Sequence, residues 1–180
     1  VTGVQTCALP IFLFFRKGRD ARSIERQRYN GLSTVELTDR VVTAHAAFRP
    51  DGIMVDGGGV GGGVVDNIRD RRLHCYEVQF GGKDVVYNYA ATSGERYANN
   101  RAAMYGACRA WLKGGCLPPD PELRRQMLAI RYTFNNKDEI ILERKEDLVD
   151  EDGQGISLDD IDALCLTFAH PLVEIGRAHV

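Results

Sequence analysis

Two aspartates have the residue type and the surroundings that metal-assisted chemistry requires. Asp56 ends the apolar run Ile53–Val55 and precedes a glycine-rich stretch, residues 57–63, after which apolar residues recur at helical spacing. The carboxyl end of a strand is where open α/β sheets bind ligands. Asp162 lies beside an apolar helical stripe late in the chain. Two such carboxylates can hold metal ions roughly 4 Å apart and promote phosphodiester hydrolysis.

Each aspartate also has a purely structural interpretation. An aspartate after a strand commonly forms a turn or caps the next helix, and an aspartate on a helix is usually solvated. The glycine-rich stretch favours function at Asp56, because glycine loses more conformational entropy on folding than any other residue. Asp159 and Asp160 are explained as acids in a first helical turn. Asp162 is predicted to lie beyond that turn.

The glycine-rich stretch supports a competing prediction, a dinucleotide site. Gly57, Gly59 and Gly62 match G-x-G-x-x-G between a strand and a helix, and Glu77 follows about twenty residues later. The pattern is weakly specific in a stretch so rich in glycine. A phosphate loop of the type G-x-x-x-x-G-K-[ST] is excluded, because no lysine follows. A third interpretation, a non-catalytic DNA-binding or assembly module, makes the acids merely structural.

The elements that must position these residues alternate between strands and helices. Strands are predicted over residues 12–18, 53–55, 74–80, 131–134 and 139–143, with residues 22–29 as the hairpin partner of the first. Helices are predicted to begin at Ser33 or Thr34, after the glycine-rich stretch, at Asn99 or Asn100, at Pro121, and at the capping-box pattern Ser157–Asp160. This order predicts an α/β domain.

Length and composition allow one globular domain with a substantial core. The chain has 180 residues, 44% of them hydrophobic, and a formal net charge of -2, so it carries no overall polycation signature. Arginine clusters in residues 16–28, 69–72 and 124–125 can still form a basic face. None of the five cysteines forms C-x-x-C, so zinc and redox motifs are absent. No apolar run is long enough to span a membrane.

Both ends of the chain are expected to be foreign to the domain. Residues 1–11 and residues 175–180 resemble translated sequencing-adapter sequence, and neither has a role in the pattern between them. Residues 12–174 are therefore predicted to be the native part. This part is expected to be a fragment, truncated at both ends.

Five segments of the native part follow one another in an order typical of a known family. They are Val55–Asp66, Phe80–Gly82, Asn100–Tyr105, Trp111–Gly115 and Asp162–Ala169. This set resembles the nuclease domain of phage terminase large subunits, and it is specific as a set although no single segment is. The resemblance implies a ribonuclease H-like α/β fold, a mixed sheet flanked by helices.

The resemblance implies a metal-dependent endonuclease that cuts concatemeric double-stranded phage DNA during packaging. Asp56 and Asp162 match two catalytic metal ligands of a two-metal site for Mg²⁺ or Mn²⁺. Five residues are candidates for contact with DNA: Gly58, Gly59, Lys83, Arg101 and Lys145. Asp66 and Lys145 resemble family positions near the site, although a surface location is the simpler interpretation of both. No cofactor other than the metal is expected.

The implied partners are those of a packaging motor. The parent protein is expected to work with double-stranded DNA, the portal protein and the terminase small subunit, and not with a membrane. Its expected location is the cytoplasm of the infected bacterium, docked on the procapsid.

The sequence departs from the family where the first catalytic aspartate belongs. In the family that residue lies on the first strand, upstream of the segment that resembles residues 12–18. Here the place holds adapter-like residues without an acid. The first strand and the preceding ATPase motor are therefore expected to be missing. Because two carboxylates leave the metals under-coordinated, little or no cleavage by this fragment is expected.

Overall fold

A computed structural model describes residues 10–86, 94–150 and 153–170 of the chain. Its strands β1 to β6 are Ile11–Leu13, Gln27–Tyr29, Met54–Asp56, Tyr76–Val78, Tyr132–Phe134 and Ile140–Leu142. The helices, numbered here α1 to α5, are Thr34–Phe48, Gly61–Asp70, Asn100–Leu112, Pro121–Ala129 and Asp159–Leu166, and a 3₁₀ turn spans Lys145–Asp147. The predicted α/β class is confirmed.

The strands pair in twos within the described residues. β1 and β2 are antiparallel, as are β5 and β6, whereas β3 and β4 are parallel. The single mixed sheet that the sequence led us to expect is therefore present only as three two-stranded sheets. Each strand has three residues, so the ladders are short, and among the described residues β6 extends beyond its pair only through a single parallel bridge between Ile140 and Tyr97.

The unit β3–α2–β4 lies between two apolar clusters. Met54 packs on the larger cluster, which α3, α4 and α5 build around Met104, Leu123 and Leu164. Val55 points the other way and packs on the smaller cluster of α1 and α2. This alternation is the two-residue period of a strand with both faces covered. It also fixes the side to which the next residue of that period, Asp56, is turned.

Most predicted helix starts are confirmed by their caps. Ser33 forms a capping box with Glu36 at the start of α1. The Asn99 side chain accepts a 3.0 Å hydrogen bond from the Ala102 N–H at the start of α3. Helix α4 begins at Pro121, where the fixed φ of proline suits the first helical position.

The predicted capping box at the start of α5 is wrong. The Ser157 hydroxyl donates to the Asp159 carboxylate at 2.5 Å, and the helix begins at Asp159 with no side-chain cap. Because the helix begins later than predicted, Asp162 lies in its first turn and not beyond it. Asp160 lies in the first turn of the helix, as predicted, and its side chain is buried and paired with Arg26.

The ends of the chain fall largely outside the described residues. Of the predicted terminal tails, residues 1–9 and 175–180 are not described, whereas Ile11 lies in β1 opposite Tyr29. Among the helices of the described ranges, none has the length and apolar character needed to cross a membrane.

Candidate functional site

Asp56 is the last residue of β3 and is exposed. Its Oδ1 accepts a 3.0 Å hydrogen bond from the Gly58 N–H, which is the geometry of an Asx turn. The glycine-rich stretch turns the chain directly into α2, with Gly59 at φ +56°, a region in which side chains are strained. Gly58 and Gly59 are both exposed beside this carboxylate.

Asp162 has the opposite environment, because it is buried in the first turn of α5. Its Oδ1 accepts a 2.6 Å hydrogen bond from the Tyr105 hydroxyl. Burial raises the pKa of Tyr105 well above its ordinary value, and the Asp162 charge acts in the same direction. Tyr105 is therefore a protonated donor at neutral pH, and it fixes the orientation of the carboxylate.

Two cations complete the surroundings of Asp162. The Lys145 ammonium pairs with Oδ2, and Arg101 Nε lies 3.8 Å from Oδ1. Arg101 also donates from Nη1 to the Glu143 carbonyl at 3.1 Å. Its Nε and Nη2 atoms are buried and donate no hydrogen bond to the described part of the chain. This leaves guanidinium N–H groups next to Asp162 with capacity for a further acceptor.

The strand with Asp56 packs against the helix with Asp162. Asp56 shares a strand face with Met54, which packs on the larger core cluster together with Ile161 and Leu164 of α5. The strand period therefore places Asp56 on the side of β3 that packs against α5, the helix that carries Asp162. Asp56 is exposed at the rim and Asp162 is buried beneath two cations.

The remaining predicted site residues lie elsewhere or have other roles. Lys83 lines a polar cleft of about 360 Å³ beside the β5–β6 turn, together with Asn135, Asn136, Lys137 and Glu139. Asp66 is exposed on α2, as expected of a solvated helix face. The structure thus brings Arg101 and Lys145 to Asp162, but it gives Lys83 different neighbours.

The donor chemistry suits a hard divalent cation, although the donors are few. Carboxylate oxygens are the ligands that Mg²⁺ and Mn²⁺ prefer. Asp162 Oδ2 is buried without a hydrogen bond from any described residue, and the Lys145 ammonium supplies a positive charge at that point. No cluster of three or more histidine, cysteine, aspartate or glutamate side chains occurs in residues 10–86, 94–150 and 153–170. The fit is therefore right in ligand type and incomplete in ligand number.

Sequence reasoning missed the role of Tyr105. The sequence singled out this residue only as the end of the segment Asn100–Tyr105, whereas in the structure it is buried and its hydroxyl contacts Asp162. One local signal was available, since Arg101 and Tyr105 are four residues apart and so share a helix face. No local signal links Lys145 to Asp162, because sixteen residues separate them in the sequence.

The chain was compared with known proteins in sequence and in fold. No family model matches the sequence, and no curated protein matches it. Among solved structures, the nuclease domain of the large terminase subunit gp2 of bacterial virus Sf6 has a TM-score of 0.60 at 19% identity, covering 90% of this chain and 87% of that chain. A mutant of that domain with manganese has a TM-score of 0.61 at 20% identity, with coverage of 87% and 81%.

A second phage gives the same result. The large terminase nuclease from thermophilic phage G20c with bound magnesium has a TM-score of 0.52 at 14% identity, covering 89% of this chain and 81% of that chain. The chain has the fold of phage large terminase nuclease domains. The resemblance identified in the sequence and the α/β fold that it implies are thereby confirmed. At 14–20% sequence identity, the similarity to terminase nuclease domains is a similarity of fold.

Proposed function

We propose that this chain is part of a terminase large subunit whose nuclease cuts concatemeric double-stranded phage DNA with Mg²⁺ or Mn²⁺. The observation that carries the proposal is the buried carboxylate of Asp162 beneath Lys145 and Arg101, on the helix that covers the strand ending in Asp56. The similar Sf6 and G20c domains are terminase nucleases solved with manganese and magnesium.

Each residue then has a distinct task. Asp56 and Asp162 would hold the metal, and Tyr105 would keep the Asp162 carboxylate in one orientation. Divalent cations at such a site supply a water nucleophile of lowered pKa and charge for the leaving oxygen. The unbonded N–H groups of Arg101 would bind a phosphate oxygen. Gly58 and Gly59 leave room for a DNA backbone beside Asp56, and Lys83 would contact a phosphate farther along.

We further propose that the family's first catalytic aspartate is missing from this chain together with its strand. Residues 12–174 would then be an incomplete nuclease domain flanked by foreign tails, with little or no cleavage of its own. The parent protein would act with the portal protein and the terminase small subunit, on the procapsid in the host cytoplasm.

A supercoiled-plasmid nicking assay with Mn²⁺ tests this proposal. The protein assayed is residues 12–174 preceded by a terminase-like first strand that carries its aspartate. Asp56→Asn and Asp162→Asn should abolish nicking, because each removes one charged ligand and preserves shape. Asp66→Asn is the matched control, since Asp66 is exposed on α2. A folded protein that never nicks, or nicking that ignores both substitutions, would favour the non-catalytic assembly module.

A dinucleotide-binding fragment is a second candidate, and one observation favours it. Strands β3 and β4 are parallel neighbours joined through the glycine-rich turn and α2, the βαβ arrangement that such sites use. Gly57, Gly59, Gly62 and Glu77 would form this site. Glu77 Oε2 lies 3.9 Å from Arg69 Nη2, and this ion pair would have to break before Glu77 could bind a ribose. Titration of NADH fluorescence separates the candidates, since the nuclease predicts no binding.

A further inference from the structure

We propose that Arg16 and Arg26 are positioning residues for Asp162, because they hold the two ends of α5. The proposal rests on the proposed function, in which Asp162 is a metal ligand. Both arginines come from the segment between β1 and β2, far from α5 in the sequence. Neither touches Asp162 in the contacts that follow, so both act through the helix that carries it.

Arg26 holds the first turn of α5. Its Nε lies 2.6 Å from Asp160 Oδ1, and its Nη2 donates to Asp120 Oδ2 at 2.7 Å. The Asp160 side chain is 2% exposed, so its charge needs this partner. One guanidinium therefore ties the start of α5 to the start of α4.

Gln126 of α4 completes this attachment. Its Nε2 donates to Asp160 Oδ2 at 3.3 Å, and its Oε1 accepts from the Ile161 N–H at 3.2 Å. The Ile161 amide belongs to the turn that carries Asp162. Asp160 and Ile161, the two residues that precede the proposed metal ligand, are thus held by side chains from outside α5.

Arg16 holds the other end of α5. Its Nε donates to Thr167 Oγ1 at 2.9 Å, and its Nη2 donates to the Thr167 carbonyl at 2.8 Å. The guanidinium also lies 4.1 Å from the centroid of the Phe168 ring. A cation at a helix C-terminus interacts favourably with the helix dipole and satisfies carbonyls that have no partner within the helix.

The length of α5 explains why these attachments matter. The helix has eight residues, too few to be stable in water without tertiary contacts. Its apolar side, which includes Leu164 and Cys165, is buried, but apolar packing alone sets the rotation of a short helix loosely. The charged contacts at both ends define that rotation, and with it the direction in which Asp162 points.

Mn²⁺ affinity is the measurement that separates positioning from simple stabilisation. Arg26→Met and Arg16→Met remove the charge and keep most of the side-chain volume. Arg125→Met is the matched control, because Arg125 is a 43% exposed arginine of α4 whose ion-pair partners, Glu122 and Asp150, both lie outside α5. Free Mn²⁺ is followed by electron paramagnetic resonance on the full chain, with the folded fraction measured by circular dichroism on the same samples.

We expect Arg26→Met and Arg16→Met to weaken Mn²⁺ binding by about tenfold per folded molecule, the lower end of the loss that follows removal of outer contacts to a metal ligand. Arg125→Met should bind as wild type does, and Arg26→Lys should recover part of the loss. Hydrogen exchange at the amides of residues 161–163 should accelerate in Arg26→Met without metal.

The outcomes are distinguishable. Faster exchange with unchanged Mn²⁺ affinity would overturn the positioning role, because the arginines would then only stabilise the helix. Equal losses in Arg125→Met would overturn it as well, because the effect would be one of net charge. Wild-type protein that binds no Mn²⁺ would also overturn the inference, because Asp162 would then not be a metal ligand in this chain. The proposed function is tested separately, by the nicking assay with the first strand restored.

Discussion

The Tyr105 hydroxyl donates a 2.6 Å hydrogen bond to Asp162 Oδ1, and both side chains are buried. The carboxylate thus has one oxygen committed to a neutral donor, while the other lies against the Lys145 ammonium. The Tyr105 hydrogen bond orients the carboxylate without neutralising its charge. It places a positive charge where the proposed function requires a metal ion.

Tyr105→Phe should therefore affect stability and metal binding together. Removing the hydroxyl leaves a buried carboxylate oxygen without its hydrogen bond, which costs about 1–3 kcal/mol of unfolding free energy. Mn²⁺ affinity should fall by about tenfold, because the ligand loses its fixed orientation. Urea unfolding and Mn²⁺ titration measure the two effects. Tyr132→Phe is the control, since Tyr132 is 53% exposed. Identical affinities for Tyr105→Phe and wild type would show that the hydroxyl does not orient a ligand.

Lys145→Ala should strengthen Mn²⁺ binding and lower the stability of the metal-free protein. The ammonium and a divalent cation compete for the Asp162 carboxylate, so its removal should tighten Mn²⁺ binding by about tenfold, equivalent to roughly 1.4 kcal/mol. Without metal the variant should be less stable than wild type, because the buried carboxylate has lost the nearer of its two cations and keeps only Arg101, whose Nε is 3.8 Å from Oδ1. Thermal unfolding with and without Mn²⁺ measures both effects.

The control for this prediction is Lys137→Ala, a lysine of the polar cleft that makes no described contact with Asp162. Its Mn²⁺-dependent shift in melting temperature should equal that of wild type. Weaker Mn²⁺ binding by Lys145→Ala would show that the lysine supports the metal site and does not compete with it.

Local sequence signals predicted the elements better than the site. Ser33 and Asn99 were identified as caps because a cap is determined by residues three positions away. The strands predicted over residues 131–134 and 139–143 are present as the antiparallel pair β5 and β6. By contrast, the start of α5 was misplaced, because the Ser157 hydroxyl bonds to Asp159 and the Asp160 carboxylate bonds to Arg26, far away in the chain.

For the site as well, features that depend on residues distant in the sequence could not be predicted. The resemblance singled out Asp56 and Asp162, and the structure puts them on a strand and a helix that pack together. Their environments could not be read from spacing, because Tyr105 and Lys145 reach Asp162 from other elements. Burial of a single aspartate is a property of the tertiary fold. A charged residue beside an apolar stripe was the only sign of it.

Gly61→Ala and Gly62→Ala should have opposite effects on the unfolding free energy, because only Gly61 is closely packed. A Cβ atom at Gly61 would overlap the carbonyl oxygen of Asp56, whereas one at Gly62 would meet nothing within 4 Å. Gly61→Ala should therefore lower the unfolding free energy by about 1–3 kcal/mol. Gly62→Ala lies in the first turn of α2 and should raise it by about 0.4–1 kcal/mol. Equal effects in urea unfolding would contradict the packing of α2 against the end of β3.

Asp120 should account for part of the loss of stability in acid. The Leu123 N–H lowers the pKa of Asp120 most, and the Arg26 guanidinium lowers it further. Because the pKa is lower in the folded than in the unfolded chain, the stabilisation is complete above the unfolded pKa of about 4 and is lost as pH falls through the folded pKa.

Asp120→Asn separates the charge from the cap, because asparagine still accepts the hydrogen bond at a helix N-terminus. Its unfolding free energy should fall less steeply than that of wild type between about pH 4 and pH 2. Urea unfolding across this range measures the slopes. Asp66→Asn is the matched control, since Asp66 is an exposed aspartate on α2. Parallel curves for Asp120→Asn and wild type would mean that the Arg26 contact at the start of α4 adds no electrostatic stability, so that Arg26 acts on α5 through Asp160 alone.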